Sequence, residues 1–250
     1  MVSGISKKTA GIMGFGRFGQ LAGKYLRDGL NVYVYDRIDR SNEIEKLGLC
    51  KSSLEEVCKK DIIILSMPIS SLESVLLGIK DYVREDSIII DVCSVKEIPC
   101  NLMKKYLPSS VHILGTHPLF GPDSARTTLK NRKIVLCPVR ITEEKLDCVK
   151  TFLESKELKI IEMTPEDHDE QISYSLVLTH FIGRAMIDMK LGEQEIETLG
   201  YQRLLKILST VRNDTWELFQ DMNKYNNYAS QVRNKFVDSL KNIDEKLLDR

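Results

Sequence analysis

The sequence predicts an α/β fold, a doubly wound parallel sheet followed by an all-helical segment. Two observations predict it. Through the first two thirds of the chain, apolar runs alternate with amphipathic stretches, and runs such as DIIILSM and SIIIDV are continuously apolar. Strands that are covered by helices on both faces need such runs. After about Glu162 no strand pattern follows, and helical periodicity continues to the end of the sequence.

The N-terminal part alternates strands and helices in the order of a doubly wound sheet. The predicted strands are 9–13, 32–35, 61–66, 87–91, 111–116, 133–137 and 158–163. The predicted helices are 17–27, 54–60, 71–83 and 97–106. In the C-terminal part, four helices are predicted at 166–191, 193–211, 214–228 and 231–248. We therefore predict two domains, residues 8–164 and 165–250.

Composition excludes several classes of protein. The chain has 36 Lys and Arg against 36 Asp and Glu, which argues against nucleic acid or an anionic membrane as the main partner. The six cysteines form no CxxC pair and no metal-like spacing, so we expect free thiols, no metal site and a cytoplasmic location. The start MVSGISKKTAG leads directly into a strand, and the longest uncharged stretch (171–183) is too short for a bilayer.

A glycine-rich segment, Gly14-Phe15-Gly16-Arg17-Phe18-Gly19, lies between the first predicted strand and helix. In a Rossmann-type site, the first glycine permits a tight turn, the second admits the pyrophosphate, and the third lets helix and strand pack closely. Asp36 ends the second predicted strand, about 20 residues on, where an acid binds the ribose hydroxyls. The alternative is that Asp36 is an ordinary turn residue. With strand, glycines, helix and acid in register, we predict a dinucleotide site.

The cofactor is predicted to be NAD, because the Asp36 carboxylate repels a 2′-phosphate. Arg37 and Arg40 stand beside it and would accommodate NADP if the carboxylate turned away. The other predicted cofactor contacts are Phe15, Arg17, Phe18, Ser66, Met67 and Pro68.

Four segments compete to supply the group that takes a proton as hydride leaves the substrate. DVCSVK (91–96) and GTHPLFGP (115–122) follow predicted strands, where α/β sheets bind ligands. EDHD (166–169) and THFIGR (179–184) belong to the helical part. His117 and His180 are the candidates for a cleft between the domains, His168 is near the domain junction, and we expect His112 to be structural.

These segments resemble the prephenate/arogenate dehydrogenases of tyrosine biosynthesis, above all the plant-type arogenate dehydrogenases. The likeness is carried in order by GFGRFGQ, SVKEIPCNLMKKYLP, LGTHPLFGPDS, EMTPEDHDEQISYSLVLTHFIGR and LGYQRLLKIL, over about residues 9–230. The resemblance implies NAD(P)-linked oxidative decarboxylation of prephenate to 4-hydroxyphenylpyruvate, or of arogenate to tyrosine. It also implies a homodimer, with residues 8–164 binding the dinucleotide and 165–250 serving substrate binding and dimerisation.

The resemblance also assigns roles to single residues. His117 matches the catalytic histidine that binds the ring 4-hydroxyl and takes its proton, for which a pKa of about 6.5 is suitable. Ser94 matches a serine that contacts the same hydroxyl, and His180 matches a histidine that lines the substrate pocket. The alternatives are that Ser94 caps the next helix, that Lys96 is exposed on that helix, and that His180 is a satisfied core histidine.

Two departures from the family pattern concern the substrate. Lys206 stands where many bacterial members carry an arginine for the side-chain carboxylate, and Arg184 or Arg203 is an alternative ligand. An enzyme for arogenate benefits from an acid near the substrate ammonium, expected around Thr127. That loop, PDSARTTLKN, has only Asp123. The overall likeness favours arogenate and the loop favours prephenate, and we narrowly prefer prephenate.

Two other functions were weighed. A β-hydroxyacid or 6-phosphogluconate-type dehydrogenase shares the domain order, but it uses a helical lysine that has no convincing counterpart here, and it leaves HPLFGP unexplained. A catalytically inactive NAD-sensing regulatory protein would bind NAD without turnover. The presence of both His117 and Ser94 argues against it.

Overall fold

The structure, a computed structural model, describes residues 8–248, which form two units divided between Pro165 and Glu166. We call them the α/β unit (residues 8–165) and the helical unit (residues 166–248). Residues 1–7, where no targeting peptide was expected, and the last two residues of the predicted helical domain lie outside the described residues.

The elements follow in chain order. The strands are β1 (Thr9–Met13), β2 (Asn31–Tyr35), β3 (Cys50–Lys51), β4 (Ile62–Leu65), β5 (Ile88–Asp91), β6 (His112–Pro118), β7 (Lys133–Arg140) and β8 (Lys159–Glu162). The helices are α1 (Arg17–Leu26), α2 (Ser41–Lys46), α3 (Leu54–Cys58), α4 (Ile69–Ile79), α5 (Glu97–Tyr106), α6 (Glu143–Ser155), α7 (Pro165–Ile172), α8 (Leu178–Asp188), α9 (Leu199–Val211), α10 (Trp216–Lys224) and α11 (Ala229–Leu248). A π-helical turn, Ser173–Val177, joins α7 to α8.

The α/β unit is built on one sheet with the strand order β3-β2-β1-β4-β5-β6-β7-β8. All neighbouring pairs are parallel except β6 and β7. The chain reverses direction across the sheet between β1 and β4, which is the position where open α/β sheets bind ligands. The predicted fold class, a doubly wound sheet followed by an all-helical segment, is confirmed.

Helices cover both faces of this sheet, which explains the continuously apolar strands. One face packs Ile63, Ile89 and Ile113 against α3, α4 and α5. The other face packs alternate residues such as Ile64 and Ile90 beside α1 and α6. Because successive strand residues point to opposite faces, both sets must be apolar.

Three elements of the α/β unit escaped prediction. β3 has two residues and α2 has six, too few for a periodic pattern. The helix α6 has 13 residues, but its buried positions are only Leu146 and Val149, among many charged side chains. β6 extends past its predicted end because His117 and Pro118 pair with β7, so that His117 lies within the strand.

The helical unit contains fewer helical residues than predicted. The first predicted helix ends at Asp188 instead of residue 191, and the second begins only at Leu199. Thr198 caps that second helix by accepting a hydrogen bond from the Tyr201 N–H, which fixes its start. Within residues 8–248, no helix is long and apolar enough to cross a membrane.

Candidate active site

The glycine-rich turn has the geometry that a dinucleotide requires. Gly14 has a φ of 90°, and a Cβ there would lie 2.2 Å from the Ser66 carbonyl oxygen. A Cβ on Gly19 would lie 2.2 Å from the Gly14 carbonyl oxygen. A Cβ on Gly16 would meet nothing within 4 Å. The first and third glycines therefore permit close packing, and the second leaves open space at the N-terminus of α1, where a pyrophosphate fits.

Asp36 braces this turn. Its carboxylate accepts a hydrogen bond from the Phe15 N–H at 2.5 Å, and another from the Ile38 N–H at 2.8 Å. Asp36 is therefore more than a turn residue, because it ties the end of β2 to the glycine turn. Arg37 is exposed beside it, and Arg40 forms an ion pair with Glu43 at 3.1 Å.

The remaining predicted cofactor contacts divide by burial. Ser66 follows β4 and donates its backbone N–H to the Met13 carbonyl, beside the glycine turn. Met67 and Pro68 follow it, and Pro68 precedes α4. The Phe15 side chain is fully buried in the core, whereas Phe18 is half-buried. Phe15 therefore packs under the turn, and only its backbone is at the predicted site.

His117 and Ser94 lie at the same edge of the sheet, because β5 and β6 are neighbouring parallel strands with Asp91 opposite Gly115. The Thr116 hydroxyl donates to the Asp91 carbonyl at 2.7 Å and joins the two strand ends. His117 is only 6% exposed. Ser94 lies in the turn after β5 and does not cap α5, since the N-cap residue is Lys96.

Lys96 is fully buried, so its alternative as an exposed helix residue is wrong. Its ammonium forms an ion pair with the fully buried Asp91, whose carboxylate also accepts from the Cys93 N–H at 3.0 Å. Burial lowers the pKa of Lys96, but the neighbouring Asp91 outweighs it, and the net pKa lies above its ordinary value. This pair closes the turn that carries Ser94. The sequence signal was the DVCSVK segment, but nothing in it indicated burial.

In the helical unit, a π-helical turn brings two histidines, His168 and His180, to nearly the same side of the continuous helix. His168 and His180 are twelve residues apart, which in an α-helix places them roughly 120° apart. The π turn between them inserts one residue, so they differ by only roughly 20°. His168 is buried against Asp169, with 2.7 Å between Nδ1 and Oδ1.

His180 is not a satisfied core histidine. It is buried, its Nδ1 has no hydrogen-bond partner, and its Nε2 lies 3.8 Å from a carboxylate oxygen of Asp214. Burial, with a smaller contribution from the Arg184 guanidinium, lowers the pKa of His180 to about 4. At neutral pH the imidazole is therefore uncharged. Asp214, which sequence analysis missed, becomes its neighbour only through folding, across 34 residues of chain.

The three candidate carboxylate ligands differ in accessibility. Arg184 donates to the backbone carbonyls of Asp214 and Thr215, and its guanidinium lies 5.7 Å from the Trp216 ring centroid. Lys206 and Arg203 are exposed on α9. Arg184 therefore holds the loop before α10, and Lys206 and Arg203 remain accessible cations.

His112 and the cysteines agree with structural roles. His112 lies 3.1 Å from the Asp86 carboxylate, at the end of β6 opposite His117. All six cysteines are thiols outside any disulfide bond, and four of them are buried. Among residues 8–248 no group of three or more His, Cys, Asp or Glu side chains is placed to hold a metal ion.

Two family models match the chain. The first is described as prephenate dehydrogenase, nucleotide-binding domain, and matches residues 22–162. The second is described as TYRAAT1-like, C-terminal domain, and matches residues 185–250.

Curated relatives and solved structures agree with these matches. Arogenate dehydrogenase 1, chloroplastic, of Arabidopsis thaliana is 32% identical, over 98% of this chain and 40% of that protein. Arogenate dehydrogenase 2, chloroplastic, of the same plant is 31% identical, over 96% of this chain and 70% of that protein. The chain thus spans about two fifths of the first relative's length. Prephenate dehydrogenase of Aquifex aeolicus, solved with hydroxyphenyl propionate and NAD+, has a similar fold, with a TM-score of 0.77, 21% identity and coverage of 99% and 93%.

Proposed function

Because the chain belongs to the prephenate and arogenate dehydrogenase family, we propose that it catalyses NAD(P)-dependent oxidative decarboxylation of prephenate or arogenate, in tyrosine biosynthesis. The observation that carries the proposal is the edge of the sheet where the open glycine turn follows β1, Ser94 follows β5, and His117 lies near the end of the neighbouring strand β6. Residues 8–164 would bind the dinucleotide, and 165–250 would bind substrate and form the dimer.

In this proposal the glycine turn, Asp36 and the Ser66–Pro68 segment hold the cofactor, which supplies a hydride acceptor when bound. Asp36 favours NAD, since its carboxylate repels a 2′-phosphate. The family's Arabidopsis members are named without a cofactor, while the Aquifex structure contains NAD+.

His117 takes the proton of the ring 4-hydroxyl while hydride leaves the same ring carbon. The carbonyl that results draws electrons from the bond to the ring carboxylate, which departs as CO2, and the ring becomes aromatic. His117 then returns its proton to the phenolate oxygen, so the same imidazole takes up and releases the proton. Ser94 orients the hydroxyl, and His180 with Lys206 or Arg203, the accessible cations of α9, would contact the rest of the substrate.

The substrate is prephenate or arogenate. In the loop PDSARTTLKN the only acid is Asp123, and none stands at the exposed Thr127 where an acid for the ammonium group is expected, which supports prephenate. The similarity to two proteins named arogenate dehydrogenase supports arogenate. The six cysteines, none in a disulfide bond, support a cytoplasmic location, although these two relatives are named chloroplastic.

The test is NADH formation at 340 nm with NAD or NADP, offering prephenate and arogenate separately. Turnover of either substrate supports the reaction, and the ratio of kcat/KM values identifies the substrate. We expect His117→Asn to lower kcat at least about 100-fold, the loss typical for a general base, and to bind NAD normally. No turnover with either substrate and either cofactor would leave a nucleotide-binding protein without this activity.

A further inference from the structure

One ion pair joins the glycine turn to the segment that follows His117. Arg17 is the first residue of α1, and its Nη2 lies 2.6 Å from Oδ1 of Asp123. Asp123 belongs to the connection between β6 and β7, residues 119–132, six positions after His117. We call this connection the β6–β7 segment. Both side chains remain about half exposed, at 48% and 60%.

Two other contacts fasten the same segment to α1. The Tyr25 hydroxyl donates to the Ala125 carbonyl at 2.9 Å, and the Lys24 ammonium donates to the Arg126 carbonyl at 2.7 Å. Both end on backbone carbonyls and lie more than one helical turn beyond the glycine turn. The Arg17–Asp123 ion pair therefore joins the β6–β7 segment to the cofactor end of α1.

The same end of α1 is the place where negative charge is expected. Gly16 leaves open space there, and the helix N-terminus favours an anion. A dinucleotide pyrophosphate carries two negative charges, whereas Asp123 carries one. Because an exposed ion pair is weak, the pyrophosphate competes effectively with Asp123 for the Arg17 guanidinium.

We propose that Arg17 is a positioning residue shared between the cofactor pyrophosphate and Asp123, so that cofactor binding loosens the β6–β7 segment beside His117. The inference rests on the proposed function only for the place of the cofactor. Asp123 thereby acts on the reaction through the segment and not by selecting the substrate.

The binding test compares four proteins by calorimetric titration with NAD: wild type, Arg17→Ala, Asp123→Asn and the double variant. Arg17→Ala is expected to weaken binding about fivefold, as for a lost charge-assisted contact. Asp123→Asn is expected to tighten binding about threefold, because Arg17 is released. In the Arg17→Ala background, Asp123→Asn should then have no effect. If it tightens binding equally there, Asp123 acts by direct repulsion and the proposal is wrong.

Arg27→Ala is the matched control, since Arg27 follows the other end of α1 and donates to the Leu47 carbonyl. Its NAD affinity should equal that of wild type. A loss as large as that of Arg17→Ala would mean that any cation of α1 has the same effect, and would overturn the specific role of Arg17.

A second readout follows the segment itself. Leu119 is partly exposed at its start, and Leu119→Trp in a Trp216→Phe background provides a single fluorophore, since the chain has one tryptophan. Saturating NAD should shift its emission, and the shift should disappear with Arg17→Ala. An unchanged shift contradicts the proposal. Neither readout needs turnover. Absence of dehydrogenase activity would therefore contradict the proposed function, while the proposed role of Arg17 would still be tested by NAD binding and fluorescence.

Where activity is present, Asp123→Asn separates positioning from stability. We expect a reduced KM for NAD without a matching loss of kcat, because bound NAD has already displaced Asp123 from Arg17. Equal losses in kcat and in affinity for NAD would indicate general damage to the fold and would overturn the proposal.

Discussion

At the scale of single residues, the α/β unit contains a buried ion pair next to Ser94, and its burial is unfavourable for stability. Lys96 and Asp91 are both fully buried, and Lys96 stands at the N-cap of α5, where the helix dipole disfavours a cation. Removing a charged pair from water is unfavourable unless the partners satisfy each other. The ion pair is therefore better explained by the shape of the turn around Ser94 than by stability.

Replacing one partner of this pair should be far worse than replacing both. We expect Lys96→Met to lower the free energy of unfolding by about 3–5 kcal/mol, because Asp91 stays buried and unpaired. Asp91→Asn with Lys96→Met should recover most of the loss. Lys51→Met, which breaks an exposed pair with Asp39, should leave the free energy of unfolding nearly unchanged. Urea unfolding followed by circular dichroism measures all three, and similar losses for Lys96→Met and Lys51→Met would contradict this account.

His180 should make the helical unit less stable in acid. Its pKa is about 4 in the folded protein against 6.5 for an ordinary histidine, so between these values the unfolded chain binds more protons. The free energy of unfolding therefore falls as the pH decreases from about 6.5 to about 4, by about 3 kcal/mol for this group. Trp216 fluorescence in urea at pH 7 and pH 5 reports it. His180→Gln should reduce the difference between the two pH values, and an unchanged difference would refute the assignment.

At the scale of elements, α8 and α9 approach closely because one residue has no side chain. A Cβ on Gly183 would lie 2.7 and 3.1 Å from the two γ-carbons of Val211. Gly78 in α4 is the opposite case, since a Cβ there would meet nothing within 4 Å. The same residue type therefore serves packing in one helix and has no packing role in the other.

These two glycines should respond oppositely to alanine. Gly183→Ala should lower the free energy of unfolding by about 1 kcal/mol. Overpacking against Val211 costs about 1–3 kcal/mol and outweighs the gain of about 1 kcal/mol in helix propensity. Gly78→Ala should stabilise by about 0.5–1 kcal/mol, since only propensity changes. Thermal or urea unfolding compares them, and stabilisation by both would show that α8 and α9 can move apart freely.

At the scale of the molecule, the helical unit exposes an apolar stripe. Leu240, Ile243 and Leu247 are 52%, 56% and 61% exposed and lie at helical spacing on one face of α11. Isolated apolar residues on a surface are ordinary, but a stripe of them indicates an interface. We therefore retain the proposal that a second copy of the chain covers it.

Sedimentation equilibrium at micromolar concentration should give a dimer. Leu240→Glu with Leu247→Lys should give a folded monomer. Both side chains are exposed within one chain, so the changes remove apolar contacts at the dimer interface and leave the core intact. Leu77→Glu, at an exposed position on α4, is the control and should remain dimeric. A wild-type monomer, or a dimer unaffected by the α11 changes, would contradict the proposed interface.

The sequence by itself determined the fold class and the glycine turn. Both depend on short-range patterns: apolar runs that require two covered faces, and glycines whose spacing sets one turn and one helix start. The short β3 and α2 and the charged α6 were missed because their patterns are too brief or too polar to have a period. The positions of Ser94 and His117 at neighbouring strand ends followed from the strand order.

Only the tertiary structure decided which charges meet. Lys96 could be read as a surface lysine until folding placed it against Asp91 in the interior. Arg17 and Asp123 are 106 residues apart, and His180 and Asp214 belong to different helical segments. The π turn that aligns His168 with His180 likewise leaves no periodic signal. Pairing across such distances depends on how the elements pack, and packing is a property of the whole fold that no local window of sequence contains.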